Sequence, residues 1–221
     1  IARGVLNLCH RNGNATPEAA VPGDFYKVAL ALDETGYRLA PGHRLRLALS
    51  TAYWPLVLPG PRPVRATVRC GADSTLLLPL LDGAEEAPPP LPADPDPLPK
   101  YRLVERGHSV RRVEHDLQTG RVRYVISECS GWTENPVHGM RKRESRDEVW
   151  EVDPADPAGT TGRLVFEAER AREGWHAATR SEIRFTCGPE RYAVEAELIA
   201  REGETELIRR RWIFEVPRDH M

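Results

Sequence analysis

The sequence predicts an all-β protein: an antiparallel β-sandwich in the form of a partial jelly roll, followed by a long-stranded antiparallel meander. Three observations carry this. Apolar residues recur with period two in one run after another, the pattern of half-buried strands. Pro-Gly and Gly-centred turn signals separate the runs, and no amphipathic helical pattern extends beyond two turns. The stretch from Gly83 to Pro99 holds seven prolines (88, 89, 90, 92, 95, 97 and 99). Proline supplies no ladder donor, so this stretch reads as an extended surface linker. The predicted organisation is therefore a partial jelly roll over 1–82, a linker over 83–99 and a β extension over 100–221 that packs on the first segment.

The first segment contains about five candidate strands. Gly4 to Leu8 begins a strand-like run, and Tyr26, Val28, Leu30 and Leu32 alternate with polar or small residues. Leu45, Leu47 and Leu49 alternate with Arg44, Arg46 and Ala48, Val64 to Cys70 gives another run, and Leu76 to Leu80 a fifth. Pro22-Gly23-Asp24, Pro41-Gly42-His43 and Gly71-Ala72-Asp73 are the intervening turns. A jelly roll uses about eight strands, so five cannot close it, and residues 100–221 or a second copy must complete the packing.

After the linker, Val113 to Leu117 and Arg121 to Ser127 flank Gln118-Thr119-Gly120, a hairpin signal. Trp175 to Cys187 reads as one long strand, Glu204 to Val216 as another, and Leu164 to Met221 as a four-stranded meander punctuated at Gly174, Gly188-Pro189 and Glu202-Gly203-Glu204. The apolar faces of the two long strands are wide enough to pack across a sheet.

Composition excludes several function classes. Hydrophobic residues make up 40% and charged residues 29% of 221, a globular profile. No apolar run reaches the ~20 residues that span a bilayer, no signal-peptide pattern opens the chain, and no membrane partner is expected. The start at Ile1 reads as a cut through a longer polypeptide. Net charge is −2, and among the 31 basic residues only Lys27, Lys100 and Lys142 are lysine. Arginine bonds carboxylates through a planar fork, so interleaved Arg and Glu on strands predict surface ion-pair ladders rather than a nucleic-acid face. Cys9, Cys70, Cys129 and Cys187 form no C-x-x-C pair and no zinc-ligand spacing. They read as buried, reduced thiols of a cytoplasmic protein, and no metal or cofactor is expected.

No catalytic constellation emerges. The nearest approach to a nucleophile elbow, Gly107-His108-Ser109-Val110-Arg111, has Arg111 where a small residue is needed and no helix after it. Ser109 is therefore read as part of a loop between strands. Asp147-Glu148 and Asp153 lie near Arg143 and Arg146, where ion pairing is the default, and Glu85-Glu86 falls in the linker. Gly159-Thr160-Thr161-Gly162 has no phosphate-loop lysine and reads as a turn. One aromatic cluster stands out: Tyr53-Trp54-Pro55, at the end of the leucine-alternating strand. Aromatics at a strand end stack on sugars or pack into a partner domain.

The residues around that cluster carry a family resemblance. Arg3-Gly4-Val5-Leu6-Asn7-Leu8, Val21-Pro22-Gly23, and Pro41-Gly42-His43-Arg44-Leu45-Arg46-Leu47-Ala48-Leu49-Ser50 followed by Trp54-Pro55 resemble the C-terminal jelly-roll domain of the CocE/NonD hydrolases and Xaa-Pro dipeptidyl-peptidases. The resemblance spans residues 1 to about 80. Residues 112–120 and Arg210-Arg211-Trp212 resemble the extension found on one branch of these proteins. The resemblance implies an upstream α/β-hydrolase domain bearing a Ser-Asp-His triad, with this β portion packed on it and helping to close the acyl-binding cleft. It also implies that no catalytic residue falls in this chain and that the jelly-roll strands preceding Arg3 lie outside it.

The function predicted is thus that of a non-catalytic domain of a serine hydrolase. Its partner is its own hydrolase domain, with Tyr53, Trp54 and Pro55 at the interface and both rings more exposed than Trp212. A carbohydrate-binding sandwich using Tyr53 and Trp54 as a stacking platform is the alternative. A structural module that self-associates through open sheet edges is the third reading.

Overall fold

A computed structural model describes residues 1–81 and 100–218. The Pro-rich stretch predicted over 83–99 lies outside the described residues, as does Glu85-Glu86. Among the described residues, nine strands form one antiparallel sheet: β1 (Arg102–Leu103), β2 (His108–His115), β3 (Val122–Cys129), β4 (Thr133–Glu134), β5 (Arg141–Asp153), β6 (Asp156–Arg172), β7 (Trp175–Cys187), β8 (Arg191–Glu202) and β9 (Thr205–Pro217). From β5 onward each strand pairs with the next in chain order. On its other side β5 meets β3, which carries β2, and the short β4, which carries β1. The all-β class and the closing meander are as the sequence predicts, with β7 matching its expected bounds at Trp175 and Cys187.

Turn chemistry explains the sharp reversals. Gly174 and Gly203 take φ of +70° and +55° in the two-residue loops between β6 and β7 and between β8 and β9, the left-handed backbone that tight hairpins require. Between β2 and β3, the Asp116 carboxylate accepts the amides of Gln118 and Thr119 at 2.8 and 3.0 Å, fixing the predicted reversal.

Two elements depart from expectation. The Gly159-to-Gly162 stretch is not a turn but lies inside β6. A Cβ on Gly162 would stand 2.7 Å from the Trp150 ring, so the glycine makes room for the indole rather than for a bend. Strand β5 was not evident as a strand because Arg141 to Glu148 alternates charge with charge rather than polar with apolar. Its pairing partners on both sides, β3 and β6, keep it extended.

Register sorts the two faces. Directly opposed residues of an antiparallel pair share a face, so Tyr124, Trp150, Gly162, Phe185, Val194 and Phe214 form one transverse row. Within it Trp150 meets Phe185 edge-on at 5.9 Å, and Phe185 stacks at 5.4 Å on Tyr192, in the next row of the same face. The other face carries the predicted ion-pair ladder. Glu182 accepts from Arg163 Nε at 2.9 Å, Arg180 Nη2 at 2.7 Å and Arg184 Nη2 at 3.1 Å. These hydrogen bonds from guanidinium groups hold its pKa down to about 2. Val125, Val165 and Ile199 are buried on this ladder face, consistent with the arginine stems covering apolar surface while their heads reach carboxylates.

Residues 1–81 differ in kind. Runs such as 26–32 and 45–49 join no ladder, and Leu45, Leu47 and Leu49 are exposed. Alternation specifies which side of a strand is apolar; it does not supply a partner for the backbone. Local polar contacts order the segment instead. Asn7 caps a 3-10 turn at Leu8–His10, and Arg11 donates to the Leu8 and Glu18 carbonyls at 3.0 and 2.8 Å and lies over the Tyr26 ring. The Asp33 amide donates to the Arg3 carbonyl at 2.8 Å. A Cβ on Gly4 would lie 2.5 Å from the Ala31 carbonyl oxygen, so this contact requires glycine.

Candidate interface site

The candidate site is the loop that follows the leucine-alternating run. The Tyr53 amide donates to the Val57 carbonyl at 2.9 Å and the Val57 amide to the Tyr53 carbonyl at 2.7 Å, closing a loop whose tip is Trp54, Pro55 and Leu56. Pro55 offers no amide, so the tip withdraws one donor that a strand would need; the Trp54-Pro55 bond is cis. Ser50 Oγ donates to the Ala52 carbonyl at 2.8 Å at the loop entrance.

The tip is sided. Tyr53 is 59% exposed and Leu56 68%, against 43% for Trp212. Trp54 is half-buried, contrary to the expectation that both rings stand more open than Trp212. Its Nε1 is shielded from solvent without a hydrogen-bond partner among the described residues. The open apolar surface is therefore Tyr53 with Leu56, a residue that sequence reasoning missed because a leucine after proline has no distinctive pattern.

The loop is fastened to the sheet by a residue that the sequence did not single out. Arg218, 4% exposed, donates from Nη2 to the Pro59 carbonyl at 2.7 Å, and from Nη1 to the carbonyls of Gly188 at 2.8 Å and Ala158 at 3.3 Å. Its own amide donates to the Glu190 carbonyl at 2.8 Å, and its guanidinium lies 4.7 Å from the centre of the Tyr192 ring. A buried cation is tolerated only when hydrogen-bonded; here backbone carbonyls take that part at Nη1 and Nη2, while Nε has no partner among the described residues. Cys187, also buried, has its thiol pushed up to about 11 by that burial. Cys70, by contrast, is exposed, so the four thiols are not uniformly buried as predicted. A buried arginine was illegible because Val216-Pro217-Arg218 reads as a strand end with an exposed cation.

Ser109 does not sit on an elbow, nor in the expected loop: it lies in β2, where its Oγ is 3.3 Å from Glu128 Oε1. The neighbouring His108 ring contacts Ser127 Oγ at 3.2 Å. Successive strand residues face opposite sides, so His108 and Ser109 cannot act as a base and nucleophile pair. Gly107 reflects close packing, since a Cβ there would overlap the Cys129 carbonyl at 1.8 Å. Asp153 accepts the Ala155 amide at 2.9 Å, and Glu148 pairs with Arg146 at 2.6 Å. No group of three or more potential metal ligands converges among the described residues, and no helix there is long and apolar enough to cross a membrane.

Comparison with known proteins bears on the segment that contains the loop. No curated protein and no solved structure matches the chain. Residues 1–84 match the model of one family, the X-Pro dipeptidyl-peptidase C-terminal non-catalytic domain, in agreement with the resemblance read from the same residues.

Proposed function

We propose that this chain is the non-catalytic C-terminal β portion of an α/β-hydrolase-type serine hydrolase, an acyl esterase or Xaa-Pro dipeptidyl-peptidase. In this reading it docks on the hydrolase domain of its own polypeptide and helps to shape the substrate cleft. The observation that carries this is the loop at 53–57: within the segment matched to a non-catalytic domain, it presents Tyr53 and Leu56 outward. Aromatic and aliphatic anchors on a pre-formed loop suit docking, because little conformational freedom is lost when they bind. The division at the 83–99 linker belongs to the same reading, with the extension held on the first segment; the Arg218-to-Pro59 bond supports it. Unpaired cysteines are compatible with a cytoplasmic location. Half-burial of Trp54 leaves Tyr53 as a single open ring, which favours docking over a two-ring sugar platform.

The test begins with the open reading frame, which must carry a G-x-S-x-G elbow upstream of Ile1. In the full-length protein, Tyr53→Ser with Leu56→Ser is expected to lower kcat/KM for esters or Xaa-Pro arylamides about tenfold, equivalent to about 1.4 kcal/mol of lost transition-state stabilisation. Unchanged kinetics, or a frame without the elbow, contradicts the proposal.

A further inference from the structure

Among the described residues, β9, thirteen residues long, ends the sheet with no strand on its outer edge. Which of its amides are free follows from two hydrogen bonds. The Arg218 amide donates to the Glu190 carbonyl, and the Gly188 amide to the Arg191 carbonyl, each at 2.8 Å. In an antiparallel ladder such bonds mark every second residue pair. From the Ala200–Ile208 pair to the end of the strand, even-numbered residues of β8 and β9 therefore bond each other, while Arg209, Arg211, Ile213 and Glu215 turn both N–H and C=O to the open edge. Pro217 falls in the same outward set, where its missing amide costs the β8 ladder nothing. Every residue of β9 is exposed, and its apolar side chains Ile208, Trp212, Phe214 and Val216 lie along one face.

Such an edge invites another strand, and the sequence of β9 selects which. For a second copy related by a two-fold axis perpendicular to the sheet, residues must pair with like parity. Centring on Arg210 or Arg211 would oppose identical guanidinium groups, which is destabilising. Centring on Ile213 would leave the Arg209 carbonyl facing Pro217, which has no N–H. Centring on Trp212 opposes no like charges and sets Pro217 only against Leu207, the residue left out of register at the bulge, beyond the paired 208–216 span. Arg209 then faces Glu215, Arg211 faces Ile213, Arg210 faces Phe214 and Ile208 faces Val216. All four outward amides on each copy find a carbonyl, opposite charges meet twice, and two arginines reach aromatic rings.

We infer that the β9 edge is a homodimerisation surface, in which two copies join antiparallel about Trp212 into one continuous sheet. This is independent of the role proposed for the 53–57 loop. The pairing is isologous, so it closes at two copies instead of propagating. It also sets the two Trp212 side chains opposite each other on the same face, covering part of their exposed surface.

Sedimentation velocity of the 221-residue chain over a concentration series tests it, together with two variants. The wild type is expected to approach twice the 24.8 kDa mass of one chain as concentration rises. Ile213→Pro removes only an outward amide and is expected to weaken dimerisation at least tenfold while leaving the far-ultraviolet β signal intact. Trp212→Cys places two thiols at the non-hydrogen-bonded two-fold pair, where Cα atoms stand about 4.5 Å apart. It is expected to give a disulfide-linked dimer under mild oxidation that neither the wild type nor Arg210→Cys gives. A chain that stays monomeric at every concentration overturns the inference. So does a dimer that Trp212→Cys fails to cross-link, and that result decides the matter even if Ile213→Pro misfolds.

Discussion

Arg218 Nη2 donates a hydrogen bond of 2.7 Å to the carbonyl of Pro59, joining positions 159 residues apart. Through Gly188 and Ala158 the same guanidinium binds the reversal between β7 and β8 and the start of β6. It thus ties the stem of the Tyr53-to-Val57 loop to one end of the sheet.

Arg218→Met keeps much of the stem volume but leaves the Pro59 and Gly188 carbonyls without their donor. Unsatisfied buried acceptors cost about 1–3 kcal/mol each, partly relieved if water enters, so a net loss of about 2 kcal/mol is expected. Chemical denaturation measures it. Arg218→Lys is expected to recover less than half, since one ammonium cannot span three carbonyls in the geometry of the fork.

Gly162 and Trp150 form a second irreplaceable contact. A side chain at 162 would meet the indole at 2.7 Å, and the indole in turn packs edge-on against Phe185. Gly162→Val is expected to destabilise the sheet by about 1–3 kcal/mol, the usual range for overpacking. Trp150 fluorescence should shift to the red as the ring is displaced. A thermal midpoint and an emission spectrum both unchanged would show that the ring has room to yield.

Acid sensitivity follows from Glu182. Its pKa of about 2 lies below the ordinary 4.5, chiefly because Arg163 and Arg180 donate to it. A depressed carboxylate contributes stability that is present above pH 4.5 and lost as pH falls from there towards 2. Arg163 and Arg184 are at least half exposed, and solvent screening reduces the contribution to about 1 kcal/mol. Glu182→Gln is expected to lower stability by that amount at pH 7 and to flatten the fall between pH 4.5 and 2. An unaltered acid limb in stability against pH would remove Glu182 from the account.

The parts that were legible in the sequence share one physical origin. β7 and β9 alternate apolar and polar residues over a long span, and hairpin loops bound them, so periodicity and turn chemistry agree. The Arg and Glu content likewise anticipated the ladder centred on Glu182. β5 was not legible because charge alternates with charge along it, and the Gly159-to-Gly162 stretch misled because Gly162 serves a neighbouring ring rather than its own backbone. The runs at 26–32 and 45–49 show the converse: they have the strand pattern, but pattern alone provides no partner. At the site, Tyr53 was accessible to composition reasoning as an aromatic at a strand end. Arg218 was not, because its burial depends on where three distant carbonyls converge.

Hydrogen exchange across residues 50–60 tests whether the loop is the proposed interdomain interface. It should be measured in the 221-residue chain and in the full-length polypeptide. The Trp54 and Leu56 amides, at the tip between the Tyr53 and Val57 bonds, are expected to exchange at least tenfold more slowly when the hydrolase domain is present. Equal exchange rates in the two proteins would contradict it.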